Sequence, residues 1–261
     1  MKKKSNTFYT MISILSVLVF LLIWELLTDV LKVVPSYSLP SPIKVVQTFV
    51  VKLYSTVPDG GTLITHTGKS LAVVFSGFLI GTVIGVPVGI AMAWYRRFDY
   101  FFKPVFDILR PIPPVAWIPL ALFAIGIGFM SKAIVIFISA VIPCIINSYS
   151  GIKQTSQVRI WVAQTFGAGR FEILCRVAIP TALPMMFTGV RTALSASWMT
   201  LVAAELLAAN DGLGYMLQMG RMVGRTDIVM VSVITMGIIG ALLSALLGCI
   251  EKHFVKGEAL S

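Results

Sequence analysis

Residues 66–70 read HTGKS, and they are residue types that could bind a phosphate group. The phosphate-binding P-loop also ends in Gly-Lys-Ser, but it needs a glycine five residues before Gly68 and a preceding strand. Leu63 stands at that position, and a long apolar run follows. The GAG motif at 167–169 likewise lacks the third glycine and the strand of a dinucleotide-binding turn. We therefore expect no cofactor in this chain, and its sequence shows no nucleophile elbow, zinc-protease histidine pair or paired carboxylates of an enzyme.

The composition indicates a lipid bilayer as the environment. Of the 261 residues, 57% are hydrophobic and only 12% are charged, far from the values of soluble domains. A helix needs about 20 apolar residues to cross a hydrocarbon core of about 30 Å. Six runs satisfy this: 10–31, 70–94, 104–127, 133–150, 183–209 and 227–250. We predict an all-α, multi-pass protein of the cell membrane, with six transmembrane helices in one domain, 1–261.

The distribution of basic residues predicts the orientation of the chain. The net charge of +10 could suggest nucleic acid, but in a membrane protein the difference between loops is informative. Segments on the side of the N-terminus hold twelve Lys and Arg, namely Lys2, Lys3, Lys4, Arg96, Arg97, Lys103, Lys153, Arg159, Arg170, Arg176, Lys252 and Lys256, against seven on the other side. We therefore predict that both termini are cytoplasmic, and we expect no nucleic-acid partner. His66 and His253 then lie on opposite sides of the membrane, so we expect no metal site.

Two segments have recognisable packing patterns. After the first span, Ile43, Val46, Phe49, Val50, Leu53 and Tyr54 recur at helical spacing, which predicts an amphipathic helix on the outer surface. The second span carries a stripe of glycines four residues apart, Gly77, Gly81, Gly85 and Gly89. Such a stripe lets another helix approach closely, either within the chain or from a second subunit.

The third span opens with RPIPPVAWIP, where several prolines remove backbone donors. Irregular backbone at membrane depth needs protein or a water-filled cavity around it. This pattern favours a broken helix at the cytoplasmic mouth that lines a gate, or else a kinked packing helix.

Ionisable residues within the apolar runs are costly and need an explanation: Glu25, Arg110, Arg191 and Glu205. Arg110 and Arg191 lie near the inner ends of their spans, where they can snorkel to the headgroups. Alternatively they face a polar pathway and favour an anion. Thr188, Thr192, Ser195 and Met199 share one stripe of the fifth span, which is the weakly polar surface that such a pathway needs.

The inner loop at 151–182 is long for a simple connection. One apolar helical face contains Val158, Trp161, Val162 and Thr165, and a second contains Phe171, Leu174, Val177 and Ala178. A bend at Gly167, Ala168 and Gly169 separates them. Two short amphipathic helices with basic flanks are expected to dock in a groove of a cytosolic protein.

At this loop the chain resembles the permease subunits of ATP-binding-cassette importers, specifically the nitrate, sulfonate and taurine group. Their cytoplasmic signature reads Glu-Ala-Ala, three residues, Gly, nine residues, Ile-x-Leu-Pro. Ala163 matches the second Ala, Gly167 the Gly, and Val177, Ile179 and Pro180 the closing positions. Trp161 and Val162 depart from the first two positions. The resemblance extends over RPIPPVAWIPL, LVAAELLAANDGLGYML and LPSP, and so over nearly the whole chain.

The resemblance implies the type I importer (MetI-like) permease fold, with the coupling helix of the ATPase interface at Gly167. It also implies a second permease copy, two cytosolic ATP-binding subunits that hold ATP and magnesium, and an extracytoplasmic substrate-binding protein. The expected cargo is a small anion such as taurine, another sulfonate, nitrate or bicarbonate, with a pyrimidine-type vitamin precursor as the alternative. A secondary transporter is the rival class, but such proteins often show internal repeats and need coupling charges near the midplane.

Overall fold

The computed structural model describes residues 6–255, and within this range the protein is built of helices without strands. The all-α prediction is confirmed. The helices are α1 (Asn6–Glu25), α2 (Pro42–Tyr54), α3 (Leu63–Trp94), α4 (Arg96–Leu109), α5 (Ile118–Ile125), α6 (Phe129–Lys153), α7 (Gln157–Thr165), α8 (Arg170–Ile173), α9 (Ile179–Ala208), α10 (Leu213–Met222) and α11 (Thr226–Val255). Lys2, Lys3, Lys4 and Lys256, which contributed to the predicted orientation, lie outside the described residues.

Five helical segments of the described chain are long and apolar enough to cross a membrane: Thr10–Val30, Leu63–Trp94, Phe129–Lys153, Arg170–Leu207 and Thr226–Lys252. The predicted third span at 104–127 is not one continuous helix, and its prolines indicated such a break. Arg96–Leu109 and Pro114–Ile125 meet at a bend of 86° and make a sixth span only if they are counted together. The prolines of this segment lack the backbone donors that a continuous helix would need.

Other boundaries shift outward from the predicted ones. The second membrane helix begins at Leu63 rather than at residue 70, because the Thr62 hydroxyl caps it by accepting a hydrogen bond from the Thr65 amide (3.3 Å). HTGKS therefore forms the first turns of α3 and is not a phosphate-binding loop. The fifth span is also longer than predicted, since it runs back without interruption to Arg170.

The glycine stripe of α3 packs against α6, within the same chain. A Cβ atom built on Gly77 would lie 2.6 Å from the Ala133 carbonyl oxygen, and one on Gly81 would lie 2.6 Å from Ala140 Cβ. The corresponding closest approaches at Gly85 and Gly89 are 2.8 and 2.6 Å, again to atoms of α6. Helices at this separation gain close backbone packing that larger side chains would prevent. The bundle of α3, α6 and α9 forms the centre of the fold.

Helix α2 forms where it was predicted, and most of its apolar side is not covered by the protein. Its buried residues are Val45, Thr48 and Lys52, while Ile43, Val46, Val50 and Tyr54 are exposed. Phe49 and Leu53 are only partly buried against the core. Because lipid is itself apolar, α2 turns polar groups inward and leaves most of its apolar face uncovered.

Candidate functional site

The loop after α6 is organised around a sharp turn at the end of α7. The Gly167 amide donates to the Gln164 carbonyl (2.9 Å), and the Ala168 amide donates to the Ala163 carbonyl (3.1 Å). Gly167 has a φ of +80°, which is the left-handed conformation that glycine adopts without strain. This pair of bonds is a Schellman cap. The sequence places glycine where the cap requires it, and Gly169 then leads into α8.

The apolar residues around this turn are uncovered. Helix α7 is described in full, and none of its side chains is buried. Trp161, Val162 and Phe166 are exposed, and Ala163 and Ala168 are half-buried. Trp94, Ile160, Gln164, Ala168, Arg170 and Ile173 line a recess of about 310 Å³ beside them. The geometry therefore offers an apolar ridge and an adjacent recess to a partner protein.

Two hydrogen bonds attach the loop to the membrane helices. The Arg159 guanidinium donates to the Thr181 hydroxyl of α9 (3.2 Å), and the Arg170 guanidinium donates to the Trp94 carbonyl at the end of α3 (3.4 Å). Both residues flank the ridge, so each side of the ridge is bonded to the end of a membrane helix.

The second half of the loop differs from the sequence-based expectation. Phe171 is exposed, but Leu174 and Ala178 are buried in a cluster with Ile152, Ala182 and Met186. Val177, Ile179 and Pro180 are half-buried at the start of the long helix. The expected second docking helix is thus the base of the fifth span, and its apolar residues serve the core.

The weakly polar stripe of α9 is open on the single chain. Thr188, Thr192, Ser195 and Met199 are all exposed. Thr188 and Thr192 donate their hydroxyl protons to the carbonyls of Pro184 (3.0 Å) and Thr188 (2.9 Å), four residues earlier. These bonds satisfy the hydroxyl donors while leaving the oxygens accessible.

Arg191 adjoins this stripe and is ion-paired. Its Nη2 lies 2.6 Å from Glu251 Oε2 near the end of α11. Arg191, Ser195 and Met199 line the same cavity of about 160 Å³, together with Trp198. The guanidinium is therefore held at the edge of the stripe by a carboxylate near the end of α11.

Arg110 lies elsewhere. It is exposed at the end of α4 and lines a different cavity, of about 180 Å³, with Asp99, Lys103, Asp107 and Tyr149. The structure does not bring Arg110 and Arg191 into one site.

A buried polar network closes the opposite end of the bundle. The Ser70 hydroxyl of α3 donates to Glu205 Oε1 of α9 (2.7 Å), and the Gly214 amide donates to Glu205 Oε2 (2.8 Å). The Leu213 amide donates in turn to the Ser70 oxygen (2.9 Å). Glu205 thus joins α3, α9 and the start of α10.

Two groups of charges lie beside this network. Buried Lys52 contacts buried Asp59 at 2.5 Å, and Asp59 Oδ2 lies 3.1 Å from His66 Nε2. Asp211 bridges Lys132 (3.0 Å) and Lys69 (3.2 Å). Partial burial opposes ionisation of Asp211, but the hydrogen bonds and charges of the two ammonium groups prevail and lower its pKa below the usual value.

Sequence reasoning missed Lys52, Asp59, Lys132 and Asp211 as partners. Glu205 stood out as an acid within an apolar run, and His66 was considered only in the phosphate-loop motif and as a metal ligand. The NDGLG stretch that supplies Asp211 and the amides contained the one usable signal, because a glycine-rich turn next to a membrane acid favours backbone donors.

Comparisons with known proteins agree with this geometry. Residues 85–258 match the family described as binding-protein-dependent transport system inner membrane component. The chain is 41% identical over 197 residues to a putative ATP-binding-cassette transporter permease of Methanocaldococcus jannaschii, covering 75% of this chain and 74% of the relative. It is 35% identical to the taurine transport system permease of Escherichia coli (93% and 88% covered) and 31% identical to the nitrate import permease of Synechocystis (93% and 88% covered).

A solved structure supports the fold alone. One chain of the inward-facing MetNI methionine transporter superposes with a TM-score of 0.60 at 20% identity, covering 73% of this chain and 93% of that one. This chain belongs to the binding-protein-dependent transport system inner membrane component family, and it is a permease subunit of an ATP-binding-cassette importer in the cell membrane. The predicted class and MetI-like fold are confirmed, whereas the cytoplasmic position of the termini stays a prediction.

Proposed function

We propose that the exposed ridge at Trp161, Val162 and Phe166 is the docking site for a cytosolic ATP-binding subunit. The observation that carries this proposal is an uncovered apolar helix whose flanks are bonded to α3 and α9. Closure of the ATPase pair would press on the ridge and move the membrane helices. The family description supports an external binding protein as the source of the cargo.

The complete importer would contain two copies of this chain, two ATP-binding subunits and one extracytoplasmic binding protein. ATP and magnesium would be bound and hydrolysed in the cytosolic subunits, since the sequence of this chain lacks a P-loop. The exposed stripe of Thr188, Thr192, Ser195 and Met199 would face the corresponding stripe of the second copy and line the pathway between them.

The cargo we propose is a small anion of the taurine, sulfonate, nitrate or bicarbonate type. Relatives over most of the chain are named for taurine and nitrate transport. Within this chain, Arg191 places a positive charge beside the polar stripe. Glu251 offsets that charge in the present conformation.

Docking can be tested by Trp161→Ala in the complex reconstituted in proteoliposomes. Removing an exposed aromatic anchor should weaken binding of the ATPase subunit by about 30-fold, as loss of an interface hot spot costs about 2 kcal/mol. ATP-driven uptake should fall while membrane insertion stays normal. Tyr54→Ala, which removes another exposed aromatic side chain, on α2, serves as the control and should leave uptake unchanged. Normal subunit binding by the Trp161 variant would refute this docking site.

The anion assignment can be tested by comparing Arg191→Gln with Glu251→Gln. If Arg191 attracts the cargo, its replacement should reduce taurine or nitrate uptake without abolishing ATPase stimulation by the loaded binding protein. Glu251→Gln frees the guanidinium and should preserve or increase uptake. Equal losses in both variants would mean that the ion pair only holds α9 against α11. Binding of a pyrimidine and no anion by the cognate binding protein would overturn the cargo assignment.

A further inference from the structure

Helix α4 carries a strong amphipathic pattern that the transport site does not use. Successive residues turn by about 100° around a helix axis, so positions three or four apart share a face. Arg96, Asp99, Lys103 and Asp107 lie together on one face. The opposite face is apolar: Phe98, Phe101, Phe102, Val105, Ile108 and Leu109. All of α4 is described, and none of its side chains is buried.

Helix α4 is too short to be a membrane span by itself. Fourteen residues give a helix of about 21 Å, whereas the hydrocarbon core is about 30 Å thick. The helical segment Pro114–Ile125 that follows is bent from α4 by 86°, so the two are nearly perpendicular. Ile118 and Ala121 of that segment are buried in one cluster with Val135 of α6, so the segment after the bend belongs to the bundle.

Contacts with α6 fix which way α4 is rotated. Tyr149 of α6 donates its hydroxyl proton to Asp99 Oδ2 (3.2 Å), and Lys103 Nζ lies 5.8 Å from the centre of the Tyr149 ring. At Asp99 and Lys103 the polar face is thus turned toward α6 and the cavity between the two helices, whereas Arg96, one turn earlier, is exposed and does not line that cavity. Phe101 and Ile108, which are 73% and 72% exposed, point away from the protein.

The basic residues of α4 lie at the depth of the coupling loop. Arg170 of that loop donates to the carbonyl of Trp94, only two residues before Arg96. Arg96 and Arg97 are both exposed, and Arg96 Nη2 donates to the Tyr100 hydroxyl (2.9 Å). Basic residues next to an exposed aromatic face match the two layers of a membrane interface, with anionic headgroups outside and acyl chains inside.

We propose that α4 lies in the interfacial layer of the inner leaflet, with Phe101 and Ile108 among the acyl chains and Arg96 and Arg97 on the phosphate groups of anionic phospholipids. This lipid site is independent of the cargo and of the docking of the ATPase. It tethers the start of the bent segment Pro114–Ile125 to the membrane surface, so headgroup charge acts on the position of that segment.

The depth of α4 can be measured with spin labels in the complete importer in liposomes. Single cysteines at Phe101, Ile108 and Asp107 would be introduced after Cys144, Cys175 and Cys249 are replaced. Labels at 101 and 108 should be relaxed by oxygen, which concentrates in lipid, and the label at 107 by a water-soluble nickel chelate. Nickel access at 101 and 108 would overturn the proposal. Shielding of both from either reagent, with spin coupling between copies, would show that a second permease covers this face and would also overturn it.

Headgroup selectivity requires a second measurement, for which the chain offers a matched control. A fluorophore at position 101 would be quenched by brominated phosphatidylglycerol or brominated phosphatidylcholine, and the ratio reports local enrichment of the anionic lipid. Arg97→Gln should lower this ratio by up to about fivefold, the effect expected for one basic residue at a membrane surface. Arg221→Gln removes another exposed positive charge, on α10, and should leave the ratio unchanged. Equal ratios in the two variants would refute specific headgroup binding.

Discussion

Replacing Gly81 by alanine should force α3 and α6 apart. A Cβ atom at position 81 would lie 2.6 Å from Ala140 Cβ, whereas ordinary contact begins at 3.4 Å, so about 0.8 Å must be opened. Ala140 Cβ is fixed to its backbone and cannot rotate away, and the Phe137 carbonyl oxygen lies 3.1 Å from the added atom. Overpacking of this kind costs about 1–3 kcal/mol.

Gly68 provides the control within the same helix. A Cβ atom at position 68 has no neighbouring atom within 4 Å, so Gly68→Ala gains only helix propensity, about 1 kcal/mol. Gly81→Ala has the same gain in addition to the overlap. The free energies of unfolding of the two variants should therefore differ by about 1–3 kcal/mol, with the Gly68 variant more stable.

A double-mutant cycle isolates the contact itself. Ala140→Gly removes the atom that the new methyl group would meet, so the double variant should be more stable than the sum of the two single effects predicts, with a coupling energy of about 1–2 kcal/mol. Unfolding by sodium dodecyl sulfate in mixed micelles would measure all four proteins. Strict additivity of the two substitutions would refute the close approach of α3 and α6 at this position.

Three further predictions concern charge and backbone geometry. Asp59→Asn should lower the free energy of unfolding by about 3–5 kcal/mol in the same assay, because the buried ammonium of Lys52 loses its charged partner. The double substitution Asp59→Leu with Lys52→Met should cost less stability, since it leaves no unpaired buried charge. Unchanged stability of the Asp59→Asn variant would contradict the buried ion pair. The folded-state pKa of Asp211 is depressed, so the stability that this carboxylate contributes is complete above the unfolded pKa of about 3.9 and is lost as pH falls through the folded pKa. Asp211→Asn should therefore reduce the fall of the melting temperature in acid. An unchanged dependence of the melting temperature on pH would show that Asp211 does not contribute to the acid sensitivity. Gly167→Ala should strain the left-handed turn by about 1–2 kcal/mol and lower uptake. Gly169 has a φ of −73°, so Gly169→Ala should cause neither strain nor a loss of uptake. Equal uptake by the two variants would argue against a rigid turn at Gly167.

The apolar runs predicted most of the membrane helices, because their length alone meets the requirement of the bilayer. The third run is broken, as its prolines indicated, and its average hydropathy does not reveal the break. Hydropathy averaged over 104–127 combines the apolar face of α4 with the wholly apolar α5. Such an average does not show where the helix axis changes direction. The prolines at 111, 113 and 114 contained the correct signal for a break, but they do not fix an angle of 86°.

The amphipathic pattern of α2 predicted the helix but not which of its faces packs on the protein, because the usual rule for that choice assumes water outside the protein. Next to lipid, apolar side chains such as Val46 and Val50 can remain outside, and Thr48 and Lys52 find partners inside. Thr48 donates to Asp227, 179 residues away. Contacts between residues so far apart along the chain leave no local pattern, so the polar network at this end could be identified only from the fold.

The fifth span is a continuous helical segment that connects the candidate coupling loop to the polar network around Glu205. Arg170–Leu207 is one helical segment of 38 residues, or about 57 Å at 1.5 Å per residue. Its first turn follows the coupling bend, and near its other end Glu205 is bonded to Ser70 of α3 and to the Gly214 amide. A rigid helix transmits a displacement along its whole length, so movement at Arg170 must either reach Glu205 or be absorbed by bending. The π-helical turn at Leu174–Ala178 and Pro184 are the places where the backbone ladder is weakest. The stiffness of the fifth span between that π-helical turn and Pro184 therefore decides how far a movement of the loop reaches the hydrogen bonds of Glu205.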